Sequence, residues 1–118
     1  MITDNPKSPG LSFYSSGDAL ASGYQWVKQE LDGGYTITGT SRYYDRHVVS
    51  ADGSSAVMSY CLDQSQEFGK VRKSGQVLKT PTSPNSFVLF NVRMQKNTAG
   101  VWQTTYVQSY EGEKKCQP

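Results

Sequence analysis

Asp45, His47 and Asp63 are of the residue types that transfer protons in small enzymes. A carboxyl or imidazole group in an apolar pocket can act as general acid or base, because burial shifts its pKa towards neutrality. Asp45 and His47 are two residues apart, so on a strand their side chains would share a face. The tyrosines that could donate to a developing oxyanion beside them are Tyr43, Tyr44 and Tyr60. The sequence therefore contains a weak candidate group for proton-transfer chemistry.

The positions of these residues also fit a purely structural role. Asp45 and His47 lie just before a predicted hairpin turn, where a charged pair usually forms a solvated rim. Asp63 closely follows Cys61 and suits a turn or capping carboxylate. His47 is the only histidine, which excludes a metal site of several histidines, and we expect neither a metal nor a cofactor. The sequence has no motif for a serine nucleophile, a zinc protease, a phosphate loop or a dinucleotide.

Cys61 and Cys116 are the only cysteines, so each is the other's only possible partner within the chain. Their wide spacing matches no metal-binding or redox motif. A disulfide between them would close a long loop and stabilise the fold by roughly 4 kcal/mol in the chain-entropy model. It would also indicate an oxidising compartment. The other interpretation is two unrelated thiols in a reduced protein, with Cys116 exposed in a polar tail.

The composition indicates one folded domain without a strong electrostatic partner. The 118 residues include eight Tyr, four Phe and two Trp, which is too aromatic for a disordered chain. The formal net charge is +2, and turn residues interrupt the mild basic cluster, so we expect no nucleic-acid binding. That cluster consists of Lys70, Arg72, Lys73 and Lys79. No apolar run approaches the roughly 20 residues that a membrane span requires.

The N-terminal third predicts an arm followed by one helix. Residues 1–14 contain prolines and no periodicity, which predicts a flexible N-terminal arm. Residues 15–118 would form the single domain. Helix-capping residues precede an apolar stripe of helical spacing, and two glycines end it, which predicts a helix over residues 17–32. The stripe consists of Leu20, Tyr24, Val27 and Leu31.

The remaining chain predicts four main antiparallel strands. Residues 35–50 form a long strand that bends near Gly39 or Asp45. Asp52 and Gly53 predict a hairpin turn, since an Asp-Gly pair accepts positive φ angles. The next strand covers residues 54–63, and residues 64–84 give a weak signal for a small hairpin or for an extension of that strand. A final hairpin covers 86–96 and 101–110.

The strands carry enough aromatic side chains to form a binding surface. Tyrosine at a surface supplies contact area at a low entropy cost and keeps a polar tip. The candidates are Tyr43, Tyr44, Tyr60, Trp102 and Tyr106. Ordinary cross-strand pairing explains at least half of such residues. A concave face lined by tyrosine and valine could still receive a partner helix or a small apolar ligand.

Three stretches give the chain a resemblance to the actinobacterial extracytoplasmic proteins of the nuclear transport factor 2-like, or cystatin-like, superfamily. Residues 5–20 are similar to the segment where a short helix enters the main helix. Residues 56–63 are similar to a strand that ends in a Cys-x-Asp pattern. Residues 92–103, with Cys116, are similar to the final hairpin and closing cysteine. The resemblance implies an α+β cone-shaped roll, with one main helix packed on a curved antiparallel sheet of about four strands.

The same resemblance implies a Cys61–Cys116 disulfide and attachment behind a lipoprotein leader or a membrane helix. Such domains usually begin with a long helix that closes the cone, and the residues before Asn5 cannot supply it. Residues 1–6 do not resemble a signal peptide. The sequence therefore fits either a cytosolic protein or an exported protein whose leader has been removed. The cysteines favour the exported protein. Any membrane attachment would then run through an N-terminal anchor that this sequence lacks.

The leading functional interpretation is a non-catalytic, extracytoplasmic domain that acts through protein–protein contacts or self-association. The first alternative is a small-ligand binder or a pocket enzyme of the isomerase or cyclase type that uses Asp45 and His47. A further alternative is an accessory or immunity protein of a phage or mobile element. The superfamily contains enzymes, binding modules and scaffolds, so the resemblance implies no activity.

Overall fold

The computed structural model describes residues 9–118, which form two helices and a curved antiparallel sheet. The helices are α1 (Pro9–Tyr14) and α2 (Gly17–Gly33). The strands are β1 (Tyr35–Ala51), β2 (Ser55–Val71), β3 (Val77–Leu78), β4 (Phe87–Lys96) and β5 (Trp102–Glu111). The strand order is β1-β2-β4-β5, with β3 added beside the end of β2. The α+β prediction is confirmed, with five strands and two helices in place of about four strands and one main helix.

Helix α2 is the predicted main helix and begins and ends close to the expected residues. Its apolar stripe is buried at Val27 and half-buried at Leu20, Tyr24 and Leu31. Gly34 adopts the left-handed conformation at φ 79° and donates its N–H to the carbonyls of the last turn, which ends the helix. Ser16 occupies the N-cap position without a side-chain capping bond, so sheet packing and the first-turn Asp18 stabilise this end instead.

Residues 9–14, part of the predicted arm, form the short helix α1, and residues 1–8 lie outside the described part of the chain. The amide of Gln103 donates to the carbonyl oxygens of Ser12 and Phe13 at 3.1 Å each. These bonds satisfy acceptors that the end of a helix would otherwise leave unpaired. Ser15 then forms a parallel bridge with Thr104. The edge of β5 therefore holds this segment in place.

β1 and β2 form a long antiparallel ribbon with three irregularities in their pairing. Gly39 and Asp45, the two positions where a bend is predicted, both have positive φ angles, 91° and 51°. Between Tyr44 and His47 the first strand advances by one residue more than its partner, which is the signature of a β-bulge at Asp45. β2 runs to Val71 and also pairs with β3, so the weakly predicted segment is both a strand extension and a small hairpin.

The turn between β1 and β2 forms at the predicted place by a different mechanism. The prediction of positive φ angles at Asp52 and Gly53 is wrong, because neither residue adopts the left-handed conformation. The carboxylate of Asp52 instead accepts the backbone N–H groups of Ser54 at 2.9 Å and Ser55 at 2.8 Å. This side-chain turn closes the ribbon without a left-handed residue. The same bonds hold the pKa of Asp52 below its ordinary value.

The two faces of the sheet are covered by different parts of the chain. We call the face packed against α2 the helix-bearing face; Val88, Phe90 and Val92 alternate along β4 onto this face. The opposite, disulfide-bearing face carries Cys61 and Phe87, buried together with Cys116. One helix therefore covers part of one face, and the C-terminal segment covers part of the other.

The disulfide between Cys61 and Cys116 joins β2 to the C-terminal segment, with a Cα–Cα distance of 5.6 Å. Both cysteines are fully buried, and Tyr44 and Leu89 pack against them. Cys116 lies in a short 3₁₀ turn, Lys114–Cys116, that follows β5. The predicted pairing is confirmed, and the polar C-terminal tail is a structural cover for the sheet.

Candidate functional site

The proton-transfer candidates do not form a pocket. Asp45 is exposed at the bulge of edge strand β1, and His47 is exposed two residues later, paired with Ser59. Neither residue lines either of the two clefts beside α2. The bulge places Asp45 in the irregular position, so the strand alternation that would pair it with His47 on one face is interrupted. Both side chains are therefore exposed rather than enclosed in an apolar pocket.

Asp63 is half-buried and is engaged in local structure. Its carboxylate accepts the backbone N–H of Ser65 at 2.9 Å and lies 3.9 Å from the guanidinium of Arg42. The hydrogen bonds from Ser65 are the main cause that lowers the pKa of Asp63, and the charge of Arg42 adds a smaller effect. A carboxylate held in the ionised form is a poor general acid at neutral pH. Asp63 therefore secures the irregular pairing where β1 meets β2.

Tyr44 holds the C-terminal segment. Its hydroxyl donates a hydrogen bond to the backbone carbonyl of Cys116, and the guanidinium of Arg42 lies 4.7 Å from its ring centre. Burial, together with the charge of Asp63, raises the pKa of the Tyr44 hydroxyl. Tyr44 thus belongs to the support of the disulfide and is not available as an oxyanion donor.

Tyr43 and Tyr60 belong to an aromatic row across three strands of the helix-bearing face. Tyr60 stacks on Phe90 of β4 with ring centres 5.3 Å apart. Tyr43 of β1 meets Tyr60 edge-on at 5.4 Å. Burial is the main cause that raises the pKa of Tyr60, and Tyr43 adds to it. We call Tyr43, Tyr60 and Phe90 the aromatic row.

The aromatic row leads into a cleft between α2 and the sheet. This α2 cleft has a volume of about 510 Å³ and is open to solvent. Its apolar wall consists of Ala19, Gly23, Trp26, Phe90 and Val107. A second cleft of about 450 Å³ lies between the start of α2 and the Asp52 turn and is more polar. Asp18 and Tyr106 border both clefts, so apolar and polar surfaces adjoin there.

The two remaining candidate binding residues, Tyr106 and Trp102, lie outside the aromatic row. Tyr106 borders the clefts, with Arg93 at 5.3 Å from its ring centre and Gln108 donating to its hydroxyl at 3.2 Å. Trp102 is at the far end of the β4–β5 hairpin, where it pairs with Lys96. Phe90 and Trp26 were not among the candidate residues. The sequence signals that could have found them are the apolar alternation of β4 and the position of Trp26 beside the helix stripe.

The described part of the chain offers neither a cluster of metal ligands nor a membrane-spanning helix. Residues 9–118 contain no group of three or more His, Cys, Asp or Glu side chains that could hold a metal ion. Within the same residues, no helix has both the length and the apolar character needed to cross a membrane.

Comparison with known proteins identifies solved structures of the same fold but no protein of related sequence. No family model matches the chain, and no curated protein matches its sequence. The intermembrane space region of the chloroplast protein ARC6 superposes with a TM-score of 0.59 at 14% identity, over 93% of this chain and 86% of that one. A ketosteroid isomerase-like protein from Erwinia carotovora atroseptica superposes with a TM-score of 0.52 at 17% identity, over 87% of this chain and 78% of that one.

These likenesses, together with the helix laid on a curved antiparallel sheet, define the fold as nuclear transport factor 2-like. The predicted cone-shaped α+β fold is therefore confirmed as a fold. At such low identity the likeness shows the fold alone, since proteins of one fold host unrelated functions. Function must be argued from the surfaces of this chain.

Proposed function

We propose that this chain is a non-catalytic interaction domain whose helix-bearing face receives an apolar segment of a partner protein. The observation that carries the proposal is the aromatic row, which is exposed at Tyr43 and lines the α2 cleft at Phe90. Tyr43 at the outer end of the row is 50% exposed. Open aromatic side chains beside an apolar cleft are the usual anchors of protein interfaces.

The surroundings of the row match the anatomy of an interface. Trp26, also partly exposed, lines the cleft, and Val48 of β1, which pairs with Met58, is exposed as well. The adjoining polar cleft contains Asp18, Asp52 and Arg93, which could pair with polar groups at the edge of a bound segment. The clefts accommodate a few side chains each, so a single strand or helix fits better than a broad flat surface.

A catalytic role receives less support from the same geometry. Isomerase-type chemistry needs a carboxyl or imidazole group inside an apolar cavity. Asp45 and His47 are exposed, and the pKa of Asp63 is lowered rather than raised. The charged groups that border the two clefts beside α2 are Asp18, Asp52 and Arg93, and of these three only Asp18 also lines the α2 cleft.

An extracytoplasmic location is part of the proposal. The fully buried disulfide supports an oxidising compartment, because such bonds persist mainly in exported proteins. Attachment to the cell envelope behind a lipoprotein leader, in an actinobacterium, is the more specific form of this proposal. Sequencing the complete gene tests it, and a gene without an upstream leader or membrane helix would contradict it.

A small apolar ligand is a second candidate occupant of the α2 cleft. The volume of about 510 Å³ lies within the range of ligand pockets, and the wall contains Trp26 and Phe90. Such a ligand would quench the fluorescence of Trp26 on titration. A partner segment would instead require contact with Tyr43, which lies outside the cleft.

Photo-crosslinking in the cells that produce the protein tests the interaction directly. One variant carries Tyr43→p-benzoylphenylalanine, and its matched control carries Tyr110→p-benzoylphenylalanine. The two tyrosines are similarly exposed, at 50% and 43%, and Tyr110 pairs with Leu89 on the disulfide-bearing face. We expect a discrete adduct from the Tyr43 variant only. The purified partner should then bind the wild type at least tenfold more tightly than a Tyr60→Ser variant.

Adducts from Tyr110 alone, or equal adducts from both positions, would contradict the proposal. An adduct between two copies of this chain, formed only through Tyr43, would identify self-association as the contact made by this face.

A further inference from the structure

One end of the β1–β2 ribbon combines positive charge with exposed apolar side chains. At this end, the turn between β2 and β3 lies beside the junction of α2 and β1. Arg72 connects the two, since its backbone N–H donates to the carbonyl of Gly34 at 2.9 Å and its Nε donates to the carbonyl of Tyr35 at 3.0 Å. The Asp52 turn closes the opposite end of the same ribbon.

The charge at this end is predominantly positive. Its four basic residues are Lys70, Arg72, Lys73 and Lys79, and the chain from residue 68 to residue 110 contains no Asp or Glu. The carboxylates on the neighbouring elements are Glu30 and Asp32 near the end of α2 and Glu67 in β2. Lys73 lies in the turn between β2 and β3, and Lys79 directly follows β3. Both side chains are exposed. The outermost part of this end therefore carries cations without interleaved carboxylates.

Three apolar side chains lie among these cations. Tyr35, Val77 and Leu78 are exposed by 41%, 38% and 41%. β3 has only two residues and pairs with β2 on one side, so Val77 and Leu78 form a short apolar edge. We call the four basic and three apolar residues the basic hairpin end. It shares no residue with either cleft of the helix-bearing face.

We propose that the basic hairpin end docks on the surface of an anionic lipid bilayer. Lysine and arginine are attracted to anionic headgroups, while the apolar side chains and the ring of Tyr35 can enter the interfacial layer. A nucleic acid would use the same charges, but it offers no comparable environment for Val77 and Leu78. Docking at this end would leave the helix-bearing face accessible to a protein partner.

Vesicle co-sedimentation of the purified chain tests the proposal. We expect binding to vesicles of phosphatidylcholine mixed with phosphatidylglycerol, and none to phosphatidylcholine alone. Since each basic residue near such a surface changes affinity by about fivefold, Lys73→Gln with Lys79→Gln should weaken binding by about 25-fold. Raising the salt concentration should weaken it as well, because exposed charges are screened.

Two further variants separate the site from a general charge effect. Lys114→Gln with Lys115→Gln removes the same charge from another exposed position and should leave binding within about twofold of the wild type. Leu78→Ser removes an apolar contact without changing charge and should weaken binding by severalfold at an unchanged melting temperature.

Three results would overturn the proposal. They are the absence of binding to the anionic vesicles at low salt, equal losses from the two double variants, and binding to a DNA duplex that exceeds binding to the vesicles under the same conditions.

Discussion

Single residues decide how the C-terminal segment covers the sheet. Cys61 and Cys116 are the covalent link, and the hydroxyl of Tyr44 binds the carbonyl of Cys116 beside it. Phe87 is buried in the same cluster. The polar tail after β5 is therefore fixed by the disulfide and by hydrogen bonds, including one from the side chain of Gln117 to the carbonyl of Pro84, rather than by an apolar segment of its own.

Removing the disulfide should cost a large part of the free energy of unfolding. We expect Cys61→Ser with Cys116→Ser to lower stability by roughly 4 kcal/mol, because the unfolded chain regains the entropy of a long loop. Urea denaturation monitored by tryptophan fluorescence measures this loss of stability. Tyr44→Phe is the companion variant and should lose about 1 kcal/mol, the net value of one hydrogen bond. Two titratable thiols in the unreduced wild type would contradict the pairing.

The Asp63 carboxylate gives the protein a sensitivity to acid. Its pKa is lowered from the ordinary value of 3.8 mainly by Ser65, so its contribution to stability is present above that value. This contribution is lost as the pH falls through the lowered pKa. Ser65→Ala should raise the pKa of Asp63 part of the way back. Carbon-detected NMR titration of the carboxyl group measures it, and an unchanged or lower pKa in the variant would count against the assigned cause.

At the scale of elements, irregular pairing shapes the β1–β2 ribbon. Asp45 holds a left-handed conformation that glycine or asparagine more commonly adopts, and the charged residues around it lie on an edge strand. Bulges and charges of this kind discourage another strand from pairing with an exposed edge. The long edge of β1 is thus protected, and the helix-bearing face is the more accessible surface for a partner.

Gly39 is the position where the ribbon tolerates no side chain. Its φ angle of 91° is unfavourable for other residues, and an added Cβ would overlap the carbonyl oxygen of Gln66 in β2. We expect Gly39→Ala to lower the free energy of unfolding by about 3 kcal/mol. Gly53→Ala is the matched control, because nothing lies within 4 Å of its added Cβ, and it should change stability by less than about 1 kcal/mol. Equal losses in thermal denaturation would contradict the close backbone approach at Gly39.

The elements with strong local signals were predictable from the sequence, and those fixed by tertiary contacts were not. The periodic stripe of α2 and the alternation of β4 specified both elements closely. The extension of β2 to Val71 is only weakly indicated by the sequence, because residues 64–67 are all polar and the strand conformation of this extension comes from pairing with β1. Asp52 illustrates a missed mechanism, since its side chain rather than a left-handed backbone makes the turn.

The candidate site was predictable to a smaller extent than the fold. Tyr43 and Tyr60, two of the five candidate surface residues, lie on adjacent strands and contact each other. Tyr44 was separated from them by the alternation of the strand and lies on the opposite face. The contributions of Phe90 and Trp26 depend on how α2 lies across the sheet, which no local pattern specifies.

At the scale of the whole molecule, the protein is thin for its length. Its shortest principal extent is 17 Å, the depth of one helix on one sheet, against 47 Å for the longest. A sheet covered by one helix leaves part of its apolar face open, and Tyr43 and Val48 are exposed there. Exposed apolar surface of this kind usually marks a site of interaction. The helix-bearing face is therefore open to solvent at the positions where a partner would bind.

Hydroxyl-radical footprinting with mass spectrometry tests this claim most directly, because it reports the exposure of individual side chains in solution. In the purified protein, we expect fast oxidation of Tyr43, Trp26 and the control Tyr110, and slow oxidation of the buried Phe87. In an envelope extract from the cells that produce the protein, Tyr43 and Trp26 should become protected while Tyr110 does not. Protection of Tyr110 instead, or slow oxidation of Tyr43 in the dilute purified protein, would contradict an open binding face.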